Sequence, residues 1–119
     1  MKDFSNIKII LLETSHPGNI GSAARAMKTM GFTNLFLVEP KCEINEISYA
    51  MAANAPEILD NVIISNDLPN VISDCQFIIG TTARQRDIPI EIISPREFAI
   101  KVNTENYEKT AILFGNESR

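Results

Sequence analysis

Short apolar runs alternate with helix-like patterns along the whole chain. The apolar runs are rich in Ile, Leu, Val and Phe, which is typical of strands buried on both faces of a sheet. The predicted strands cover residues 7–12, 34–40, 61–65, 75–82 and 111–115. The predicted helices cover 19–30, 46–59 with a break near Pro56, 67–74, and 94–102. This alternation predicts an α/β fold, in which helices cover both faces of a parallel sheet, within a single domain over residues 1–119.

The helix over 19–30 carries the most distinctive pattern. Gly31 follows it and is predicted to end it in a left-handed conformation. One side of the helix is predicted to face the core, and it carries Ile20, Ala23, Ala24, Met27 and Met30. The other side is predicted to be polar, and it carries Gly21, Ser22, Arg25, Lys28 and Thr29.

The charge of the chain is acidic overall and uneven along its length. With 11 basic and 15 acidic residues the net charge is −4, so the chain as a whole lacks the positive charge of a typical nucleic-acid-binding domain. Residues 39–74 contain seven acids and one base, whereas Arg25 with Lys28 and Arg84 with Arg86 form two local basic pairs. Such pairs can create a positive face on an acidic protein, and the alternative is an ordinary solvated surface.

The remaining composition argues against several classes of protein. Two isolated cysteines and one histidine do not form a zinc-ligand pattern, so no metal is expected. No apolar run is long enough to span a membrane, and the N-terminus does not resemble a signal peptide. We therefore expect a cytoplasmic protein without a membrane partner.

Three loops follow predicted strands and are candidates for a ligand site, because ligands of parallel sheets bind beyond the carboxyl ends of the strands. They are 13–19, 80–87 and 115–119. The first leads into the 19–30 helix, whose N-terminus would attract an anion such as phosphate. It lacks a phosphate-loop or dinucleotide fingerprint. The residues alone leave open a second interpretation, in which the glycines only allow close packing of the helix.

The segment "HPGNIGSAARAMKTMGF" resembles the first motif of the SpoU-type, or SPOUT-class, RNA ribose methyltransferases. Asn19, Gly21 and Arg25 have the spacing of that motif, and "IIGTTARQR" and "LFGNES" follow in the family's order. The resemblance implies a Rossmann-like domain ending in a trefoil knot, S-adenosylmethionine as methyl donor, and a homodimer. It further implies a tRNA substrate, methylated on the ribose 2'-OH of cytidine or uridine 32 in the anticodon loop.

The resemblance also implies a set of functional residues. Arg25 is expected to be the main catalytic residue, and Asn19 to support it at the RNA. Five positions are expected near the methyl donor: Thr81, Thr82, Ala83, Gly115 and Glu117. RNA contacts are expected from Gly21, Ser22, Lys28, Arg84 and Arg86.

The sequence departs from the family pattern at its end. The third motif is absent and the chain stops within the second, so we expect a C-terminally incomplete domain that lacks the knot and is inactive alone. The alternative is a non-catalytic Rossmann-like module that binds RNA or a nucleotide.

Overall fold

The computed structural model describes residues 6–80, 91–92 and 109–115. In these residues the strands form one sheet in the order β3-β2-β1-β6-β4-β5, and every adjacent pair is parallel. The strands are β1 (Ile7–Leu12), β2 (Asn34–Val38), β3 (Ile63–Ser65), β4 (Phe77–Gly80), β5 (Glu91–Ile92) and β6 (Thr110–Phe114). The helices are α1 (Pro17–Met30), α2 (Glu46–Ala52), α3 (Pro56–Asp60) and α4 (Leu68–Ile72).

Each face of the sheet has its own hydrophobic core. On one face Ile9 and Leu11 of β1 pack with residues of α1 and α3, including Ile20 and Ile58. On the other face Ile10 and Leu12 pack with Val71 and Ile72 of α4. The alternation along β1 therefore buries both sides of the strand, which confirms the predicted parallel sheet with helices on both faces.

The element boundaries agree with the sequence in most described regions. The chain leaves the predicted 46–59 helix at Ala53, which has a positive φ of 56°, and resumes at Pro56 as α3. Gly31 ends α1 with φ 89°, as predicted. The sequence did not indicate β5, and the predicted 94–102 helix lies outside the described residues.

The sheet order places β6 between β1 and β4, so the chain returns to the middle of the sheet at its last described strand. The register sets Leu11 opposite Phe114, and Gly80 opposite Leu113. The carboxyl ends of β1, β6 and β4 therefore lie side by side, and we call this end of the sheet the carboxyl edge. This neighbourhood, where connections leave in opposite directions, is where α/β proteins bind ligands.

A cluster of charged residues lies at the opposite end of the sheet, beside the amino ends of the strands. The carboxylate of Asp74 accepts from the Lys8 ammonium at 2.8 Å and from the Lys109 ammonium at 3.0 Å. Lys8 also donates to the Val71 carbonyl at 2.8 Å and lies 5.2 Å from the centre of the Phe36 ring. These contacts tie α4 and the strand that follows it to the amino ends of β1 and β6.

Candidate functional site

The loop after β1 leaves the sheet through a backbone conformation that is uncommon for its residue type. Glu13 has φ 54°, in the left-handed region that costs a non-glycine residue about 1 kcal/mol. Its N–H donates to the Val38 carbonyl at 2.9 Å, which continues the β1–β2 ladder by one residue. The turn at Glu13 leads the chain past the carboxyl ends of the strands to the start of α1.

The N-terminus of α1 lies at this edge and carries no negative charge. His16 is the N-cap but makes no side-chain capping bond, Pro17 is the first helical residue, and the first turn contains no acid. The Asn19 N–H donates to the His16 carbonyl at 3.0 Å. Because the first turn itself contains no carboxylate, the positive end of the helix favours an anion such as a phosphate group.

Three of the predicted site residues share one exposed stripe of α1. Asn19, Ser22 and Arg25 follow one another at intervals of three residues, and all three are exposed. Residues at this spacing are neighbours on a helix surface. The Thr29 hydroxyl donates to the Arg25 carbonyl at 3.2 Å within the same helix. The stripe brings an amide, a hydroxyl and a guanidinium together, beginning at the positive end of α1.

Gly21 does not belong to this polar surface, and its predicted position there was wrong. It is buried, because α2 crosses α1 at this point. A Cβ built on Gly21 would lie only 2.0 Å from the Ser48 carbonyl oxygen. Gly21 therefore allows the backbones of two helices to approach, and its contact with RNA stays a prediction.

Lys28 is exposed as predicted but is engaged within the chain. Its ammonium donates to the Asn54 carbonyl at 2.6 Å and pairs with Glu57 at 2.9 Å. The hydrogen bond from Lys28 lowers the pKa of the Glu57 carboxyl. These bonds connect the last turn of α1 to α3, so an RNA contact by Lys28 would compete with them.

Residues 41–48 make hydrogen bonds to the loop between β1 and α1, and these contacts were not predicted from the sequence. The Lys41 N–H donates to the Thr14 carbonyl at 2.8 Å, and the Cys42 thiol approaches the same oxygen at 3.6 Å. The Ser48 hydroxyl donates to the Pro17 carbonyl at 2.9 Å. The pattern Asn45-x-x-Ser48 signals a helix start, but nothing in it identifies a partner 31 residues away.

Gly115 directly follows β6 and is half-buried at the same edge, beside the end of β1. The other predicted donor and RNA positions lie outside the described residues: Thr81, Thr82, Ala83, Arg84, Arg86 and Glu117. Within the described part of the chain there is no cluster of three or more potential metal ligands, and no helix long and apolar enough to cross a membrane.

Comparison with known proteins connects this geometry to one family. Residues 6–119 match the SpoU rRNA Methylase family. A Haemophilus influenzae protein named "Uncharacterized tRNA/rRNA methyltransferase" is 51% identical over 112 residues, which are 94% of this chain and 46% of the relative. The tRNA (cytidine/uridine-2'-O-)-methyltransferase TrmJ of Cronobacter sakazakii is 44% identical over 113 residues, again 94% and 46% of the two chains.

A solved structure shows the same fold. The structure of a probable methylase family protein from Haemophilus influenzae superposes with a TM-score of 0.80 at 50% identity, covering 95% of this chain and 46% of that one. The chain thus spans about half the length of the relatives it matches. The match over residues 6–119, together with these relatives, shows that the chain belongs to the SpoU rRNA methylase family.

Proposed function

We propose that this protein is an S-adenosylmethionine-dependent RNA methyltransferase that modifies a ribose 2'-OH of tRNA, at cytidine or uridine 32 of the anticodon loop. The observation that carries the proposal is the exposed Asn19–Ser22–Arg25 stripe at the uncapped N-terminus of α1, beside the carboxyl ends of β1 and β6. The relatives named as tRNA methyltransferases support the substrate class.

The RNA side of the reaction is assigned to α1. Arg25 grips a backbone phosphate next to the target ribose with its forked guanidinium, and the helix N-terminus attracts the same charge. Asn19 donates or accepts at the ribose. A guanidinium stays protonated because its pKa exceeds ~12, so Arg25 does not act as the base. Its charge instead stabilises the negative charge that develops on the 2'-oxygen.

The bond changes follow from an in-line displacement. The methyl donor supplies a carbon activated by a positively charged sulfur. When the donor is bound, transfer would form a bond from the 2'-oxygen to that carbon and break the carbon–sulfur bond, which would leave a neutral thioether. The proton of the 2'-OH passes to a neighbouring phosphate oxygen or to water. Alignment of the hydroxyl with the methyl group is the main task of the protein.

The donor side is assigned to the ends of β4 and β6. Gly115 suits such a position, because it is half-buried directly after β6, beside the end of β1, and a glycine lets a ligand approach the backbone closely. The family motifs assign Thr81, Thr82, Ala83 and Glu117 to the same pocket. A homodimer in the cytoplasm belongs to the same proposal, and it rests on the family resemblance. The non-catalytic alternative is less favoured, since the relatives are named as methyltransferases.

The test is methylation of tRNA by full-length protein carrying Arg25→Ala. We expect loss of methyl transfer with an unchanged far-UV circular dichroism spectrum, because Arg25 is exposed and away from both cores. Lys109→Ala is the matched control. It removes a positive charge at the opposite edge of the sheet and should leave the methylation rate unchanged. Full activity of the Arg25 variant would refute the assigned role.

A further inference from the structure

Ser48 is the residue of α2 whose hydroxyl is tied to the start of α1. Its side chain is fully buried, with 0% relative exposure. The hydroxyl donates to the Pro17 carbonyl at 2.9 Å and accepts from the Asn45 N–H at 3.2 Å. A buried hydroxyl that both donates and accepts is held in one orientation, because losing either partner would leave a buried polar group unpaired.

The backbone of Ser48 makes a second contact with the same helix. Its carbonyl oxygen lies where a side chain of residue 21 would begin, so that Gly21 and Ser48 touch through backbone atoms. Pro17 and Gly21 are one helical turn apart and therefore lie on the same side of α1. Ser48 thus contacts α1 at two successive turns. These contacts fix the position of the first turns of α1 along the helix axis, and their rotation about that axis, relative to α2.

The loop before α1 is held from the same direction. Lys41 and Cys42 direct an N–H and a thiol at the Thr14 carbonyl. The Asn45 side chain accepts from the Ile47 and Ser48 N–H groups at 2.9 and 3.3 Å, so the start of α2 is itself rigidly capped. Ser48, which contacts α1, therefore lies in a capped and buried part of α2.

We infer that Ser48 is a positioning residue for the methyl-transfer reaction, acting through α1 on Asn19 and Arg25. This inference rests on the proposed function. Ser48 is buried and contacts Pro17 and Gly21 of α1, so its side chain is not accessible to RNA. Its effect comes from geometry: the stripe can align a ribose only if the first turns of α1 stay in place, and displacement of reacting groups by about 1 Å can cost about 100-fold in rate. Supporting groups of this kind determine how accurately a site is built.

A purely structural role makes a different prediction from a positioning role. If Ser48 only stabilised the fold, its loss would lower the free energy of unfolding but leave the rate of the folded fraction unchanged. If it positions α1, the folded protein itself should react more slowly while still binding RNA. The rate at saturation and the affinity for tRNA must therefore be measured separately.

The experiment compares Ser48→Ala with Ser65→Ala in full-length protein. Ser65 is a matched control, since its hydroxyl also accepts a backbone N–H, from Asp67 at 3.0 Å, but at the outer strand β3. For Ser48→Ala we expect a single-turnover methylation rate at least about tenfold lower than that of the parent, measured at saturating tRNA and S-adenosylmethionine and corrected for the folded fraction. The affinity for tRNA should be unchanged. Ser65→Ala should react at the parent rate.

A second substitution keeps the inference testable if Ser48→Ala does not fold. Ser48→Cys keeps the shape of the side chain with a somewhat larger γ atom and a weaker donor. It should show a rate between those of Ser48→Ala and the parent, or simply below the parent if Ser48→Ala cannot be measured. A parent rate in the folded fraction of either Ser48 variant would overturn the inference. So would a variant whose tRNA affinity is lower but whose rate returns to the parent value once tRNA is saturating. Failure of the proposed function would appear separately, as an active Arg25→Ala protein.

Discussion

The contact between Gly21 and Ser48 makes a sharp prediction about two glycines of the same helix. A Cβ at Gly21 would lie 2.0 Å from the Ser48 carbonyl oxygen and 2.9 Å from both the Ser48 carbonyl carbon and the Met51 Cβ. A Cβ at Gly18 would meet only Met51 and Ile47 side-chain atoms, at 3.6 and 3.7 Å. The same substitution three residues apart should therefore have opposite effects on stability.

The magnitude follows from these distances. A carbon and a carbonyl oxygen do not approach much closer than ~3.3 Å, so Gly21→Ala requires α1 and α2 to separate by more than about 1 Å. Overpacking usually costs ~1–3 kcal/mol when side chains can adjust, and here the closest obstacle is backbone. We expect a cost near or above the top of that range. The helix preference for Ala over Gly returns about 1 kcal/mol, which leaves a net loss of about 2 kcal/mol or more.

Gly18→Ala meets only ordinary contacts and should gain between 0 and about 1 kcal/mol from the same helix preference. The assay is urea unfolding of the parent and both variants, followed by far-UV circular dichroism. We expect the midpoint to fall for Gly21→Ala and to stay or rise for Gly18→Ala, with a common slope. A Gly21→Ala protein as stable as the parent would refute the close approach of the helices. Reduced methylation in that variant would be expected from altered packing, because Gly21 is buried against α2.

Two further predictions concern charge and backbone strain. A hydrogen bond from Lys8, and a weaker one from Lys109, hold the pKa of the Asp74 carboxyl well below its ordinary value of 3.8. The ionised carboxylate therefore stabilises the folded state above pH 3.8, and this stabilisation is lost as the pH falls toward the lowered pKa. Asp74→Asn should thus lower the urea midpoint at pH 7, with a difference from the parent that shrinks below about pH 4, and a pH-independent difference would contradict the assignment. Glu39→Gly should stabilise the protein by up to about 1 kcal/mol, since Glu39 has φ 52° and glycine adopts that conformation freely. Glu43→Gly is its control, because Glu43 has no positive φ and should only lose stability; equal effects in urea unfolding would rule out strain at Glu39.

The sequence predicted the elements well because their signals are local. The apolar run at 7–12, the glycine at 31 and the proline at 56 each act through their own backbone or their own face, and the structure confirms the strand, the helix end and the break. The position of β6 between β1 and β4 could not be predicted in this way. Periodicity identifies a strand, but it carries no information about which strand becomes its neighbour.

Gly21 shows why the polar side of α1 was predicted only in part. The helical pattern correctly put Ile20, Ala24 and Met27 against the sheet and Ser22 and Arg25 on the exposed side, but its placement of Met30 toward the core was wrong, since Met30 is 56% exposed. It could not show that a second helix would cover one flank. A glycine on a helix surface is compatible with a ligand contact and with helix packing, and the residue that decides between them lies 27 positions further along the chain.

The local partners of the acidic side chains bear on how the proposed RNA site could lie on an acidic protein. Within the described chain the acids of 57–74 have local partners: Glu57 binds Lys28, Asp60 accepts from Tyr49 at 2.6 Å, Asp67 caps α4, and Asp74 holds two lysines. Lysines offset the charges of Glu57 and Asp74, whereas Asp60 accepts from a neutral hydroxyl and Asp67 accepts from a backbone N–H group at the start of α4. The first turn of α1 contains no acid, and Arg25 is exposed further along the same helix. Because charges interact mainly within about 10 Å at ordinary ionic strength, the local balance at this edge and not the net charge decides whether a phosphate is attracted there.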